Sequence, residues 1–161
     1  MASREVFEAR ENLKQNHSKD FLTVGGMGHA SQIAAGIAIE QPNRKVLCID
    51  GDGALLMHTG SLAISADCNN LIHVLLNNEA HDSVGGQPTK GSFLKFSNIA
   101  QSFGYGTSIT VLDLDQLRVI NDSQNLTPSF LKFSVTLSLC LSLNSTNSGI
   151  SCGKFIYVMP L

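Results

Sequence analysis

An aspartate between two glycines and a pair of asparagines are the residues of this chain whose types and spacing could do chemistry together. Asp52 lies between Gly51 and Gly53, and 23 residues separate Gly53 from the pair Asn77 and Asn78. Carboxylate and amide oxygens are ligands that Mg²⁺ accepts, usually together with phosphate oxygens. Glycines at a helix N-terminus let the backbone approach a phosphate closely. Because a carboxylate by itself repels a phosphate, the pattern predicts a divalent cation between Asp52 and a phosphorylated ligand.

Each motif alone has an ordinary structural explanation. A Gly-Asp-Gly is usually a turn, and an Asn-Asn pair is usually a surface loop. The spacing favours function, because the intervening residues have the pattern of one helix and one strand, which puts Asp52 and Asn78 at the ends of neighbouring strands. Asn78 is then the natural second ligand of the ion. A backbone carbonyl just after Asn78 would be a further ligand. A nicotinamide site is disfavoured, since no G-x-G-x-x-G follows a strand.

Apolar strands that alternate with helices position these motifs. Strands are predicted at 21–24, 46–49, 71–76 and 107–112, and helices at 4–16, 30–40, 54–66 and 94–103. Strands that are apolar throughout indicate a parallel sheet with helices on both faces, so the predicted fold class is three-layer α/β. Right-handed crossovers place the carboxyl ends of such strands along one edge, where ligands bind. The motifs should meet at that edge.

Composition excludes several classes of protein. The 161 residues fit one domain, and a net charge of −2 without a basic face argues against a nucleic-acid binder. The chain has no apolar run of the roughly 18 residues that span a bilayer and no secretory signal, so no membrane contact and a cytoplasmic location are expected. The cysteines form no C-x-x-C pair or zinc spacing and are expected to be buried thiols. They are Cys48, Cys68, Cys140 and Cys152.

The motifs and their flanks resemble the thiamine-diphosphate-dependent decarboxylases. The Gly-Asp-Gly and Asn-Asn pair at this spacing is similar to the cofactor motif of that superfamily. Residues 20–31 (DFLTVGGMGHAS) and 77–89 (NNEAHDSVGGQPT) resemble the phosphonopyruvate decarboxylases, and the sulfopyruvate decarboxylases share the general pattern. The resemblance covers about residues 3–135, and residues 128–131 are similar to the family's last strand. It implies a lyase domain that binds thiamine diphosphate and Mg²⁺, with phosphonopyruvate converted to phosphonoacetaldehyde and CO₂.

Carried over residue by residue, the resemblance implies a metal site and a diphosphate site. Asp52, Asn78 and the carbonyl oxygen of Ala80 would hold Mg²⁺. The amides of Gly53 and Ala54 would hold the diphosphate.

The resemblance also implies how the rest of the cofactor is held. The Gly25 carbonyl would accept a hydrogen bond from the aminopyrimidine, and Met27 would be the apolar wedge that keeps the cofactor bent. His81 would be the catalytic side chain facing the substrate, with hydrogen bonding inside its own loop as an equally good account. The implied cofactor-binding residues are Gly25, Gly26, Met27, Gly28, Gly51, Gly53, Ala54 and Asn78.

Three further histidines have simpler expected roles. His58 and His73 are expected to be packed or surface residues, and His29 to cap its helix.

Two features of the chain depart from the family pattern. Family enzymes bind the cofactor between this type of domain and a pyrimidine-binding domain that carries an activating glutamate, and no segment of this chain resembles that domain. We therefore expect a fragment or subunit that works in a homo- or hetero-oligomer, with the pyrimidine-binding domain supplied by another chain. A subunit of a two-chain sulfopyruvate-type decarboxylase and a non-catalytic cofactor-binding fragment stay open as alternatives.

The second departure begins near Thr136, where apolar residues alternate with Ser, Thr and Cys from 133 to 143 and predict a long strand. We therefore divide the chain into a cofactor-binding domain at 1–135 and an atypical Ser/Leu-rich tail at 136–161.

Overall fold

A computed structural model of the chain describes residues 2–23, 25–112, 115–116, 129–134 and 155–160. Within these ranges, every helix is too short or too polar to cross a membrane.

Helices and strands alternate through the first 111 residues, as the sequence predicts. The helices in the described ranges are α1 (Ala2–Asn12), α2 (Ala30–Glu40), α3 (Asp52–Met57), α4 (Leu62–Ser65) and α5 (Phe96–Ser102). The strands there are β1 (Asp20–Thr23), β2 (Lys45–Gly51), β3 (Leu71–Asn77), β4 (Ala80–His81), β5 (Gln87–Pro88), β6 (Thr107–Val111), β7 (Ser129–Ser134) and β8 (Phe155–Pro160). Two 3₁₀ turns lie at Thr59–Ser61 and Asp82–Val84.

Six of the described strands form one parallel sheet. Their order is β1-β8-β2-β3-β7-β6, and every neighbouring pair runs in the same direction. β2 and β3 are paired from Val46↔Leu71 to Gly51↔Leu76, so the two chemistry-bearing motifs follow adjacent strands. The predicted α/β class with a parallel sheet is confirmed.

The central strands are covered on both faces. Side chains along a strand point alternately to opposite faces of the sheet. On one face Leu71 is buried in an apolar cluster with α2, and Leu75 is buried in a second cluster with Phe96 of α5. Leu47 and Ile72, which point to the opposite face, are buried as well. This two-sided burial explains why β2 and β3 are apolar almost throughout.

The helix predicted over 54–66 is wrong as a single helix. The structure divides it into α3, a 3₁₀ turn and α4. His58 leaves the helical conformation with φ −140° and ψ 48°, and Gly60 lies in the turn that follows. The Thr59 hydroxyl donates to the carbonyl of Leu55, so a side chain satisfies a carbonyl at the break.

The C-terminal part of the chain contributes two strands to the sheet. β7 lies between β3 and β6 and includes residues that resemble the family's last strand. β8 lies between β1 and β2, so residues 155–160 of the predicted tail enter the middle of the sheet. Most of the long strand predicted from 133 to 143 lies outside the described residues. The division of the chain at residue 135 stays a prediction.

A buried ion pair attaches α1 to the start of β1. Nη2 of Arg10 lies 2.8 Å from Oδ1 of Asp20, and both side chains are almost fully buried. The imidazole of His17 bridges Asp20 and Glu11 at 2.9 and 2.8 Å and stacks on Phe7 with ring centroids 4.0 Å apart. The hydrogen bond with Asp20, followed by that with Glu11, raises the pKa of His17. These contacts therefore fix the start of β1 relative to α1.

Candidate functional site

The carboxyl ends of β1, β2 and β3 lie along the same edge of the parallel sheet. Three polar segments leave the sheet there: Gly25–Gly28 after β1, Asp52–Gly53 after β2, and Asn78 after β3. Right-handed parallel architecture makes this edge the place where ligands bind.

Asp52 is a fully buried carboxylate at the first position of α3. The preceding Gly51 is extended, with φ −100° and ψ 154°, so the chain turns sharply from strand to helix at this point. The hydroxyl of Thr89 donates a hydrogen bond to Oδ2 of Asp52. Oδ1 is buried and has no hydrogen-bond partner in the described part of the chain. A buried carboxylate oxygen without a partner is costly, which makes it a candidate ligand for a cation.

Asn77 and Asp52 converge at Gly91. The amide of Asn77 donates to the Gly91 carbonyl at 3.2 Å, while its Oδ1 is buried without a partner among the described residues. A Cβ added to Gly91 would lie 2.5 Å from Oδ2 of Asp52 and closer still to Oδ1 of Asn77. A side chain at this position would displace at least one of the two oxygens, so glycine lets both of them face the same small space.

Asn78, the predicted second metal ligand, directly follows Asn77 at the end of β3. Its side chain is half-buried, and its amide donates to Oδ2 of Asp82 at 2.5 Å. Its Oδ1 accepts the backbone N–H of Ala80 at 3.3 Å, which leaves a lone pair of this oxygen for a further ligand. The assignment of Asn78 and of the Ala80 carbonyl as metal ligands stays a prediction.

The loop predicted after β3 folds back over the site as a short hairpin. β4 and β5 pair antiparallel, and the N–H of Thr89 donates to the carbonyl of Glu79 at 2.8 Å. Half-buried His81 lies in this hairpin with its ring against the first turn of α3, since a Cβ on Gly53 would lie 2.5 Å from its Cε1. The structure thus brings His81 beside the predicted diphosphate amides. Its catalytic role stays a prediction.

The turn after β1 packs against the flank of α3. Gly28 has φ +86°, and a Cβ there would lie 2.6 Å from Nδ1 of His58 and 3.1 Å from the Ala54 carbonyl. The half-buried Met27 precedes it. His29 occupies the N-cap position of α2, but its imidazole makes no cap hydrogen bond and instead lies 4.3 Å from the ring of His58. The expectation that His29 caps its helix is confirmed for its position and its carbonyl, which accepts the N–H of Ile33 at 3.1 Å, but not for its side chain. His58 is an exposed residue whose ring packs on that of His29, which agrees with its prediction as a packed or surface residue.

A buried polar network supports the site from beneath. Oδ1 of Asp50 accepts the N–H of Gly51 at 2.9 Å, and its Oδ2 lies 3.7 Å from Nε2 of His73. Nδ1 of His73 is 3.1 Å from the hydroxyl of Tyr105. Burial raises the pKa of Tyr105. His73 is packed, as predicted.

Two of the four cysteines are described, and both match their prediction. Cys48 and Cys68 are buried free thiols. Burial, with a smaller effect from Asp50, raises the pKa of Cys48 well above its ordinary value, so this thiol is unreactive at neutral pH. Cys140 and Cys152 lie outside the described residues.

Sequence reasoning missed Thr89, Gly91 and the buried position of Asn77. The hairpin that returns Thr89 to Asp52 lacks the Asn-Gly or Asp-Gly turn that marks a tight hairpin in a sequence. The Gly85-Gly86 pair was a usable signal, because both residues adopt positive φ in the hairpin turn.

Comparison with known proteins finds a matching family and several relatives. Residues 4–120 match the family described as "Thiamine pyrophosphate enzyme, C-terminal TPP binding domain". The chain is 37% identical to the phosphonopyruvate decarboxylase of Streptomyces viridochromogenes, over 72% of this chain and 28% of that protein. It is 36% identical to the sulfopyruvate decarboxylase subunit beta of Methanothermobacter thermautotrophicus, over 64% of this chain and 54% of that subunit. The chain therefore spans between about a quarter and about half the length of these curated relatives.

A solved structure shares the fold. A putative thiamin diphosphate-dependent enzyme from Mycobacterium smegmatis superposes with a TM-score of 0.59 at 21% identity, covering 81% of this chain and 31% of that one. This likeness supports the α/β architecture.

Proposed function

This chain belongs to the thiamine pyrophosphate enzyme family through the C-terminal TPP-binding domain, and on that premise we propose that it binds thiamine diphosphate and Mg²⁺ as part of a 2-oxoacid decarboxylase. The observation that carries the proposal is the buried, unpartnered Oδ1 of Asp52 at the carboxyl edge of the sheet. A cation at that oxygen would remove the cost of its burial and attract a diphosphate to the same place.

The donor atoms at the site fit magnesium. Asp52 offers a carboxylate oxygen, Asn78 an amide oxygen and Ala80 a carbonyl oxygen, and hard oxygen ligands of this kind are those that Mg²⁺ binds. Among the described residues, no three His, Cys, Asp or Glu side chains form a metal cluster, so amide, carbonyl and phosphate oxygens have to complete the coordination.

There is also room at this edge for a cofactor. A Cβ on Gly25 or on Gly51 would have no described atom within 4 Å, so both turns face open space. We propose that the amides of Gly53 and Ala54 bind the diphosphate. The carbonyl of Gly25 would orient the aminopyrimidine.

The remaining predicted residues have proposed roles in shaping the cofactor and in proton transfer. Met27 would hold the bent shape of the cofactor, with Gly26 and Gly28 shaping the same turn. His81 would exchange a proton with the substrate through a ring nitrogen. When bound, thiamine diphosphate supplies the electron sink for cleaving the bond between the carboxylate and the keto carbon.

Phosphonopyruvate is the substrate we propose, with phosphonoacetaldehyde and CO₂ as products and a role in phosphonate metabolism. Matches of 37% and 39% identity to two phosphonopyruvate decarboxylases support this choice. Sulfopyruvate is the second candidate, because the chain covers a larger share, 54%, of a sulfopyruvate decarboxylase subunit beta. In both cases a pyrimidine-binding domain from another chain would complete the site, in a homo- or hetero-oligomer. The buried free thiols Cys48 and Cys68 support a cytoplasmic location.

Calorimetric titration of the chain with thiamine diphosphate tests cofactor binding. We expect heat of binding with Mg²⁺ present and none after chelation. Decarboxylation assays follow, with a separately expressed pyrimidine-binding domain of a phosphonopyruvate decarboxylase and with a sulfopyruvate decarboxylase subunit alpha as the matched alternative. CO₂ release from phosphonopyruvate with the first partner supports the proposal, and release only from sulfopyruvate with the second supports the alternative. Binding of cofactor without turnover in either assay identifies a non-catalytic fragment.

A further inference from the structure

We infer that Thr89 is a positioning residue that restricts Asp52 to one ligating oxygen and thereby makes the site prefer Mg²⁺ over Ca²⁺. This inference rests on the proposed function. Thr89 is 7% exposed and follows β5, at the point where the hairpin returns to the sheet edge.

The hydrogen bonds of Thr89 fix the direction of its hydroxyl. Oγ1 accepts the backbone N–H of Gly91 at 3.0 Å, and a hydroxyl has a single hydrogen to donate. That hydrogen is directed to Oδ2 of Asp52. The N–H of Thr89 is tied to the Glu79 carbonyl at 2.8 Å, so the backbone that carries the hydroxyl is anchored to the other side of the hairpin.

This arrangement leaves the two oxygens of the Asp52 carboxylate in different environments. Oδ2 accepts the hydrogen bond of Thr89, while Oδ1 is buried without a partner in the described ranges. A cation would therefore bind through Oδ1 alone. Mg²⁺ needs close to octahedral geometry at about 2.1 Å and suits a carboxylate that offers one oxygen, whereas Ca²⁺ takes about six to eight oxygens and accepts a carboxylate through both.

Three substitutions separate the effect of the Thr89 hydroxyl from the effect of the size of the side chain. Thr89→Val keeps the shape and removes the hydrogen bond, Thr89→Ala removes both the bond and a methyl group, and Thr89→Ser keeps the hydroxyl. The methyl of Thr89 faces Gly53, lying 3.2 Å from the position of a Cβ there, so the serine variant tests the loss of this methyl with the hydroxyl kept.

The test measures Mg²⁺ and Ca²⁺ affinities by calorimetry in the presence of thiamine diphosphate. We expect the wild type and Thr89→Ser to prefer Mg²⁺. Thr89→Val and Thr89→Ala should lose roughly 10- to 100-fold in Mg²⁺ affinity, the usual effect of removing a partner of a metal ligand, and less in Ca²⁺ affinity. The ratio of the two affinities is a readout that a purely structural defect would leave unchanged.

An unchanged ratio in Thr89→Val or Thr89→Ala overturns the inference, even when both affinities fall together. A serine variant whose ratio shifts towards Ca²⁺ also overturns it, and this variant decides the matter should the other two fail to fold in thermal unfolding. Absence of cofactor binding by the wild-type chain with either ion contradicts the proposed function instead.

Discussion

The hydroxyl of Thr89 donates a hydrogen bond to the carboxylate of Asp52, which lies 37 residues earlier in the chain. The bond joins the hairpin after β3 to the first turn of α3, so two separate segments enclose one buried carboxylate. It satisfies one oxygen and leaves the other without a partner in the described part of the chain. A folded protein keeps such an oxygen at a cost, and a bound cation would remove that cost.

Gly91→Ala should weaken cofactor binding strongly. The added Cβ would lie 2.5 Å from Oδ2 of Asp52 and closer still to Oδ1 of Asn77, so one of the two side chains has to move. We expect a loss of at least about 10-fold in Mg²⁺-dependent affinity for thiamine diphosphate, measured by calorimetry.

Gly36→Ala is the matched control for that change. Gly36 is an exposed residue inside α2, and a Cβ there meets no described atom within 4 Å. Alanine should stabilise the helix by about 1 kcal/mol and leave cofactor affinity unchanged. Equal affinities for the Gly91→Ala and Gly36→Ala variants would contradict the geometry described for Gly91.

The strands and the edge at which the motifs meet were predictable from the sequence. β2 and β3 are buried on both faces, so their continuous apolar runs identify them, and the residues that follow each strand necessarily share an edge. The break at His58 was only partly predictable: Gly60 is a weak helix former, but the position of the break depends on a local hydroxyl-to-carbonyl bond.

The partners of Asp52 were harder to predict, because the Gly85-Gly86 pair signals a turn but not which residue the turn brings to Asp52. Thr89 reaches Asp52 through the backbone pairing of β4 with β5, two strands of two residues each that leave no hydrophobic period. Asn77 and Asn78 look equivalent in the sequence. In the structure Asn77, the last residue of β3, is buried, whereas Asn78, which follows the strand, is half-buried.

Tyr105→Phe should lower stability without affecting the cofactor. The change removes the hydroxyl that lies 3.1 Å from Nδ1 of the fully buried His73. Loss of a buried hydrogen bond costs about 1–3 kcal/mol in the free energy of unfolding, which denaturant titration measures. Cofactor affinity should stay at the wild-type value, because Tyr105 is not among the proposed cofactor-binding residues. An unfolding free energy equal to that of the wild type would show that this network does not stabilise the fold.

The bridge at His17 should make stability depend on pH. Hydrogen bonds with Asp20 and Glu11 raise the pKa of His17 in the folded protein above its ordinary value of 6.5. The folded state therefore holds this proton more tightly than the unfolded state, so the bridge stabilises fully below pH 6.5 and loses its effect as pH rises through the raised pKa.

The His17→Gln variant isolates this contribution. The difference in unfolding free energy between wild type and variant should be largest between about pH 5.5 and 6.5 and should shrink towards pH 9. A difference that stays constant or grows over that range would rule out a protonated bridge.

Mg²⁺-dependent binding of thiamine diphosphate by the Asp52→Ala variant tests the central claim most directly, with Asp67→Ala, which changes an exposed aspartate, as its control. Calorimetry of the wild type and Asp67→Ala should give the same Mg²⁺-dependent binding. Asp52→Ala should show none, because the buried oxygen that we propose as the ligand of the cation is gone. Wild-type affinity in Asp52→Ala, or equal losses in the two variants, would contradict the assignment of Asp52 as the residue that ties the metal and the cofactor to this fold.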